Sequence, residues 1–168
     1  MQNQQQGIIN PKYCAPHNVD LAIVRKDHRV LLDAAGEPVV TLRRKMTTTH
    51  DRWQVFRGES MEMKDLIFSV KRSSFFQLKT KLDVFLANNT KEQVCDFKVK
   101  GSWFERSCVV NAGESLTIVA QMHKKHTAQS IAFGKDNFMV TVYPNTDYAF
   151  IVALILILDE INQDKRQS

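Results

Sequence analysis

The chain has 168 residues and a net charge of +5, and 43% of its residues are hydrophobic. This length predicts a single domain of ordinary size, and the apolar content excludes a chain that is disordered throughout. The modest positive charge excludes a histone-like polycation, although it favours contact with partners that carry phosphate.

The first residues, 1–10, are mostly polar and predict a disordered lead-in. They lack the basic start and the apolar run of a secretory signal, so we expect an intracellular protein. Pro11 and Pro16 bracket the next segment, which is expected to be an extended arm because residues before proline avoid helical angles. The folded domain is predicted to cover residues 11–162.

From Leu21 to Tyr143 apolar and polar residues largely alternate, which is typical of strands with one buried face. Between Leu78 and Val84 the apolar side chains face one way and the charged side chains face the other, so a slip of one residue would bury charge. Similar alternation is found in residues 66–71, 95–100 and 138–143, with turn-forming residues between the segments. Short strands at such spacing predict an antiparallel sandwich or barrel.

The alternation ends after Pro144, and Asp147 is predicted to cap a helix at about residues 148–161. Its apolar run, Tyr148–Leu158, is shorter than the roughly 20 residues that span a bilayer. Because a helix without a polar face must be buried, we expect the strands to curl around it. The predicted fold is mainly β, an antiparallel barrel around a central apolar C-terminal helix, with a polar tail at 163–168. Ile155→Asp, near the middle of the helix, is accordingly expected to unfold the protein.

Segments throughout the chain carry a likeness to a known family: Tyr13–Pro16, Asp51–Gly58, Val70–Ser74, Asp96–Trp103 and Asp136–Phe150. In these residues the chain resembles the LURP-one-related family of plants, whose fold is that of the tubby C-terminal domain and of phospholipid scramblases. The resemblance extends from about Pro11 to Ile161. It implies a closed antiparallel barrel around a C-terminal helix and a role in plant defence, with no agreed ligand and no catalytic residue.

The chain departs from the family pattern at residues 22–30. Family members usually have extra strands, with a glycine-containing hairpin, between a strand like Ala22–Lys26 and a turn like Asp27–Val30. Here these two segments are joined directly. We therefore expect an incomplete barrel wall that exposes strand edges and part of the helix.

Residues for catalysis or metal binding are sparse. The cysteines, Cys14, Cys95 and Cys108, are far apart, which predicts neither a zinc site nor a disulfide framework. His123 and His126 would point to opposite faces of a strand and could not share one metal ion. Without a nucleophile motif or a glycine-rich phosphate loop, the chain is predicted to be neither an enzyme nor a holder of a cofactor.

A basic set lies on two neighbouring predicted strands and their connection: Lys71, Arg72, Lys79 and Lys81. If these strands pair as a hairpin, several of the cations meet on the outer face, where charge and bidentate arginine contacts could hold a phosphoinositide headgroup. Four further lysines could extend this surface: Lys98, Lys100, Lys124 and Lys125. The alternative is an ordinary solvated outer face, which strands of a barrel also require.

Two functions stay open at this point. The first is a non-enzymatic binding or signalling module that attaches reversibly to anionic phospholipid, in the cytoplasm or at the plasma membrane. The second is a scaffold or transcription-linked regulator that acts through protein or DNA partners, with the basic surface serving contacts in the nucleus. A lipid-moving enzyme is less favoured, because the single apolar helix is too short to cross a bilayer.

Overall fold

The computed structural model describes residues 7–14, 21–25, 28–45, 52–73, 79–102, 107–124 and 138–167. In this part of the chain ten strands form one antiparallel sheet, and each strand pairs with its neighbours in sequence order. The strands are β1 (Leu21–Arg25), β2 (Arg29–Asp33), β3 (Pro38–Lys45), β4 (Arg52–Arg57), β5 (Leu66–Arg72), β6 (Thr80–Leu86), β7 (Phe97–Ser102), β8 (Ser107–Ala112), β9 (Ile118–Lys124) and β10 (Phe138–Val142), and the helix is α1 (Tyr148–Gln167). Short 3-10 helices cover Pro11–Cys14 and Met63–Asp65.

The sheet curls around α1, so that one face of each strand from β2 to β10 contributes to a common core with the helix. In β6, Leu82 and Val84 are completely buried, whereas Lys81 is exposed. The alternation predicted for this strand is therefore confirmed from Thr80 onward, while Leu78 lies outside the described residues. This alternation places the charged side chains of the middle strands together on the outer face.

The helix provides the centre of the core. Phe150, Leu154 and Ile157 are at most 1% exposed, and the Phe150 ring packs edge-on against Phe68 with 5.1 Å between centroids. The predicted mainly-β fold around an apolar C-terminal helix is thus confirmed. α1 continues to Gln167, past the expected end near residue 161. Ile161 and Asn162 are buried, so α1 still packs on the core at its expected end.

No helix in the described ranges is both long and apolar enough to cross a bilayer. The C-terminal half of α1 is instead tied to the sheet by charge. Arg29 of β2 forms ion pairs with Asp159, at 3.8 Å, and with Glu160.

The segment before Pro11 differs from the predicted disordered lead-in. Ile9 is 4% exposed, and its N–H donates to Asp147 Oδ2 at 2.6 Å, while the Asn10 N–H donates to the same oxygen at 3.1 Å. Residues 7–10 are therefore part of the domain, because a buried carboxylate at the start of α1 binds their backbone. Residues 1–6 of the expected lead-in lie outside the described residues, and the expected extended arm begins as the 3-10 helix Pro11–Cys14.

The sheet is open on one side. β1 and β10 are its edges, and no strand ladder joins them in the described part of the chain. β1 pairs directly with β2, with Arg25 opposite Arg29.

One face of α1 is correspondingly less covered than the others. Tyr148, Val152 and Ile155 are only half-buried, and their spacing of four and three residues places them on one face of the helix. The expectation that part of the helix is exposed is met. The expectation that every face of the apolar run leaves water was wrong for this stripe, whose side chains are only partly covered by the described residues.

Candidate anion-binding site

Strand pairing sets a row of charges on the outer face of β4–β7. Arg52 lies opposite Lys71, Lys71 opposite Asp83, and Asp83 opposite Lys98. Directly opposed residues of antiparallel strands project to the same face, so these side chains form one row across the sheet. Lys81 lies opposite Lys100 in the adjacent row. We call the surface formed by the cations of both rows the basic face: Arg52, Lys71, Lys81, Lys98 and Lys100.

The four residues predicted as a headgroup site are placed differently from one another. Lys71 and Lys81 lie on the basic face, and Lys79 is exposed immediately before β6. Arg72 lies opposite the completely buried Leu82, so it belongs to the core-facing side of the sheet. The sequence could have shown that Arg72 and Lys71 lie on different faces, because adjacent residues of a strand point to opposite faces. Binding of a headgroup by this set stays a prediction.

Besides Lys71 and Lys81 of the predicted set, the basic face contains three more cations: Arg52, Lys98 and Lys100. Lys98 and Lys100 were recognised as a possible extension of the surface, and the pairing of β6 with β7 brings them beside Lys81 and Asp83. Arg52 was missed. Nothing in its local sequence indicates that it meets Lys71, because this contact depends on the register between β4 and β5.

Glu92, in the loop between β6 and β7, neutralises part of the basic face. Arg52 donates from Nη1 to Glu92 Oε1 at 2.7 Å and from Nη2 to Oε2 at 2.8 Å. Lys71 Nζ forms a short contact with the same Oε2, and Arg52 Nη1 also donates to Ser69 Oγ at 3.2 Å. The guanidinium therefore holds the carboxylate through two parallel bonds, the geometry that arginine also uses for phosphate.

This arrangement lowers the pKa of the Glu92 carboxyl to about 2. The hydrogen bond from Arg52 is the main cause, and the hydrogen bond from Lys71 adds to it, while partial burial acts in the opposite direction. Glu92 consequently remains a carboxylate across the physiological pH range.

Glu92 should contribute to stability in a pH-dependent way. Because its folded-state pKa lies below the ordinary value of 4.5, its contribution is fully present above that value and is lost as the pH falls toward 2. We expect the urea midpoints of the wild type and of Glu92→Gln to differ by a constant amount from about pH 7 to 5 and to converge below it. Convergence already between pH 7 and 5 would contradict the depressed pKa.

Lys98 is neutralised by a separate pair of carboxylates. Its Nζ lies 3.7 Å from Asp83 Oδ1 and 2.5 Å from Glu114 Oε1. The hydrogen bond to Glu114 is the main reason why the pKa of Lys98 is raised. Lys98 is thus a charged but compensated member of the basic face.

The pair Lys81 and Lys100 is compensated less, since in the described part of the chain only Glu114 acts on Lys100, by electrostatic interaction without an ion pair. Both side chains are exposed, and they lie directly opposite each other on β6 and β7. Within the described residues, neither lysine takes part in an ion pair. Like charges at opposed positions repel, so this pair destabilises the free sheet and favours an anion that bridges the two ammonium groups.

The cysteines contribute no exposed group, although Cys95 contacts Glu114, the partner of Lys98. All three are free and buried. Burial is the main cause that raises the pKa of Cys95 to about 11, and its hydrogen bond to Glu114 adds to this effect. Burial also raises the pKa of Cys14. In the described ranges no three histidine, cysteine or carboxylate side chains are grouped as metal ligands would be, and His126 lies outside these ranges.

Comparison with known proteins identifies the relatives of this chain. The sequence model of the LURP-one-related family matches residues 16–159. Protein LURP-one-related 15 of Arabidopsis thaliana is 57% identical, over 95% of this chain and 87% of its own. Protein LURP1 of the same plant is 50% identical, over 93% and 90%. An X-ray structure of an Arabidopsis thaliana protein has 46% sequence identity and a TM-score of 0.61, covering 92% of this chain and 98% of that one.

The length of an alignment shows whether a relative has residues that this chain lacks. The alignment with LURP-one-related 15 extends over 189 positions, more than the 168 residues of this chain. The relative therefore contains residues that have no counterpart here, in agreement with the expectation of missing strands.

Proposed function

Since the chain belongs to the LURP-one-related family, we propose that it is a non-enzymatic binding and signalling module, linked to plant defence, that recognises phosphorylated lipid headgroups through its basic face. The observation that carries this proposal is the pair of opposed lysines, Lys81 and Lys100, which form no ion pair among the described residues. A phosphate group bound between them would remove their mutual repulsion.

The number of free charges supports reversible attachment. Each lysine or arginine near an anionic membrane surface contributes roughly 1 kcal/mol, so two such lysines provide a weak, salt-sensitive interaction. Such binding fits a protein that resides in the cytoplasm and is recruited to the inner surface of the plasma membrane. The raised pKa values of Cys14 and Cys95 support the non-enzymatic part, because a thiol that stays protonated is a poor nucleophile.

We expect Lys81→Ala combined with Lys100→Ala to weaken binding to vesicles that contain phosphatidylinositol bisphosphate by roughly thirtyfold, the loss of about 2 kcal/mol for two charges. Co-sedimentation at low salt, with neutral vesicles for comparison, measures this change. The matched control is Lys12→Ala combined with Lys64→Ala, which removes two exposed lysines elsewhere on the surface and has the same net charge.

Equal losses in the two double variants would mean that only net charge matters, and would contradict a defined site. Negligible binding of the wild type to both kinds of vesicle would end the proposal. Stronger salt-dependent retention of DNA than of phosphoinositide vesicles would instead support the alternative, a regulator that acts through protein or DNA partners.

A further inference from the structure

We propose that Arg52, Ser69 and Lys71 form a second phosphate subsite of the basic face, and that Glu92 is its internal occupant, which an incoming phosphate monoester displaces. The inference rests on the proposed function, in which Lys81 and Lys100 provide the first subsite. It adds a second set of groups that contact the ligand. It also makes the Glu92 carboxylate a competitor that limits the affinity for this ligand.

The subsite already has the form that a phosphate requires. The Arg52 fork makes two bonds to one carboxylate, Ser69 Oγ accepts from Nη1 of the same guanidinium, and Lys71 Nζ contacts one of the two carboxylate oxygens. Only 22% of the Arg52 side chain is exposed, so its orientation is well restricted. A phosphate monoester offers the same acceptor geometry as the carboxylate and can replace it on the same donors.

The charge balance favours this replacement. Arg52 and Lys71 together carry two positive charges, whereas Glu92 supplies a single negative charge. A phosphate monoester carries about −1.5 to −2 near neutral pH and so neutralises the two cations more completely. Release of Glu92 to solvent costs the hydrogen bonds from Arg52 and Lys71 that lower its pKa, and the phosphate must recover this cost on the same donors.

The backbone of Glu92 is strained in the occupied state. Its φ is 49°, in the left-handed region that residues other than glycine, asparagine and aspartate rarely adopt. Strain of this kind persists where the surroundings maintain it and is common at ligand clamps and switches. The Glu92 N–H donates to Asn89 Oδ1 at 3.2 Å, so the loop itself holds this backbone conformation, also when the carboxylate leaves its donors.

The loop itself does not depend on the Glu92 carboxylate. Asn89 Nδ2 donates to the Val94 carbonyl at 2.8 Å and to Asp96 Oδ2 at 2.9 Å, and Asp96 Oδ2 also accepts the Leu86 N–H at 2.8 Å. These bonds hold both ends of the β6–β7 loop. The Glu92 side chain can therefore leave Arg52 and Lys71 while the loop keeps its anchors.

The two subsites are close enough for one headgroup. Lys71 lies opposite Asp83 on β6, two residues from Lys81 on the same face. Diagonal neighbours of this kind are about 7–8 Å apart, a separation that two phosphates of an inositol ring can bridge. The ligand chemistry is thus a polyphosphorylated inositol, supplied either by a lipid or by a soluble inositol phosphate.

The test compares Glu92→Gln with Glu62→Gln, which makes the same charge change at an exposed glutamate paired with Lys64. Isothermal titration with soluble inositol trisphosphate and co-sedimentation with phosphatidylinositol bisphosphate vesicles provide the two readouts. We expect Glu92→Gln to tighten binding roughly tenfold, because the competing occupant is lost, and Glu62→Gln to change it less than about twofold. Glu92→Gly, which suits the left-handed backbone, should produce the same gain.

The gain should disappear when Arg52→Lys is added to Glu92→Gln, since lysine keeps the charge but lacks the fork. Equal effects of Glu92→Gln and Glu62→Gln would overturn the inference. If the wild type binds vesicles in a manner that depends on Lys81 and Glu92→Gln brings no gain, the inference fails while the proposed function stands. Absence of binding by the wild type and by every variant would overturn both. A gain with inositol trisphosphate alone would support the subsite and identify the soluble ligand as its source.

Discussion

Replacement of Ile157 by aspartate should leave the protein unfolded or aggregated. Ile157 is completely buried on α1, within the core that the helix shares with the strands. An unpaired carboxylate at such a site costs several kcal/mol, comparable with the roughly 5–15 kcal/mol that stabilise a typical domain. The soluble fraction after expression and the thermal transition followed by circular dichroism measure this effect.

Ile155→Asp is the matched control for this substitution. It introduces the same residue two positions earlier on the same helix, but Ile155 is only half-buried. We expect Ile155→Asp to be much the milder variant, since its carboxylate can remain in contact with water. Equal damage from both substitutions would mean that the stripe is closed in solution. Soluble, folded protein from both would mean that α1 is not the core.

Insertion of a family-like hairpin after Lys26 extends the comparison. If the inserted strands complete the wall, Ile155 becomes buried and Ile155→Asp should become as harmful as Ile157→Asp. Persistence of the difference between the two variants would show that the hairpin does not cover this face of the helix.

Asp147→Ala is expected to lower the free energy of unfolding by roughly 3–5 kcal/mol, because it removes a helix cap and leaves two backbone donors unpaired, one of them buried and one partly buried. Asp147 is completely buried at the start of α1. Its Oδ1 accepts the Phe150 N–H at 3.1 Å, and its Oδ2 accepts the N–H groups of Ile9 and Asn10. Urea denaturation monitored by tryptophan fluorescence measures the change.

A double-variant cycle separates the two roles of Asp147. Deletion of residues 1–10 removes the partners of Oδ2 and keeps the cap on Phe150. Because the deletion and Asp147→Ala share these bonds, we expect their combined cost to be less than the sum of the separate costs. Additive costs would contradict the coupling between the N-terminal segment and the helix.

Much of the fold follows from local patterns in the sequence. The period of two in β6 assigned Lys81 to the outer face and Leu82 to the core, and the apolar run after Asp147 predicted a buried helix with that aspartate as its cap. These predictions hold because the side-chain period of a strand and the capping of a helix involve residues that are neighbours in the chain. The direct junction of β1 with β2 could likewise be recognised from the sequence, as a departure from the family pattern.

The candidate site depended on contacts that no local pattern contains. Glu92 meets Arg52 across 40 residues of sequence, and Asp147 meets Ile9 across 138. The contact between Glu92 and Arg52 depends on the register of β4 against β5, and this register shifts between Val55 and Phe56. It also depends on the path of the loop after β6. Sequence alternation decides which face a residue occupies. Only the pairing of strands and the packing of loops decide which charges on that face are neutralised and which, like Lys81 and Lys100, remain available to a ligand.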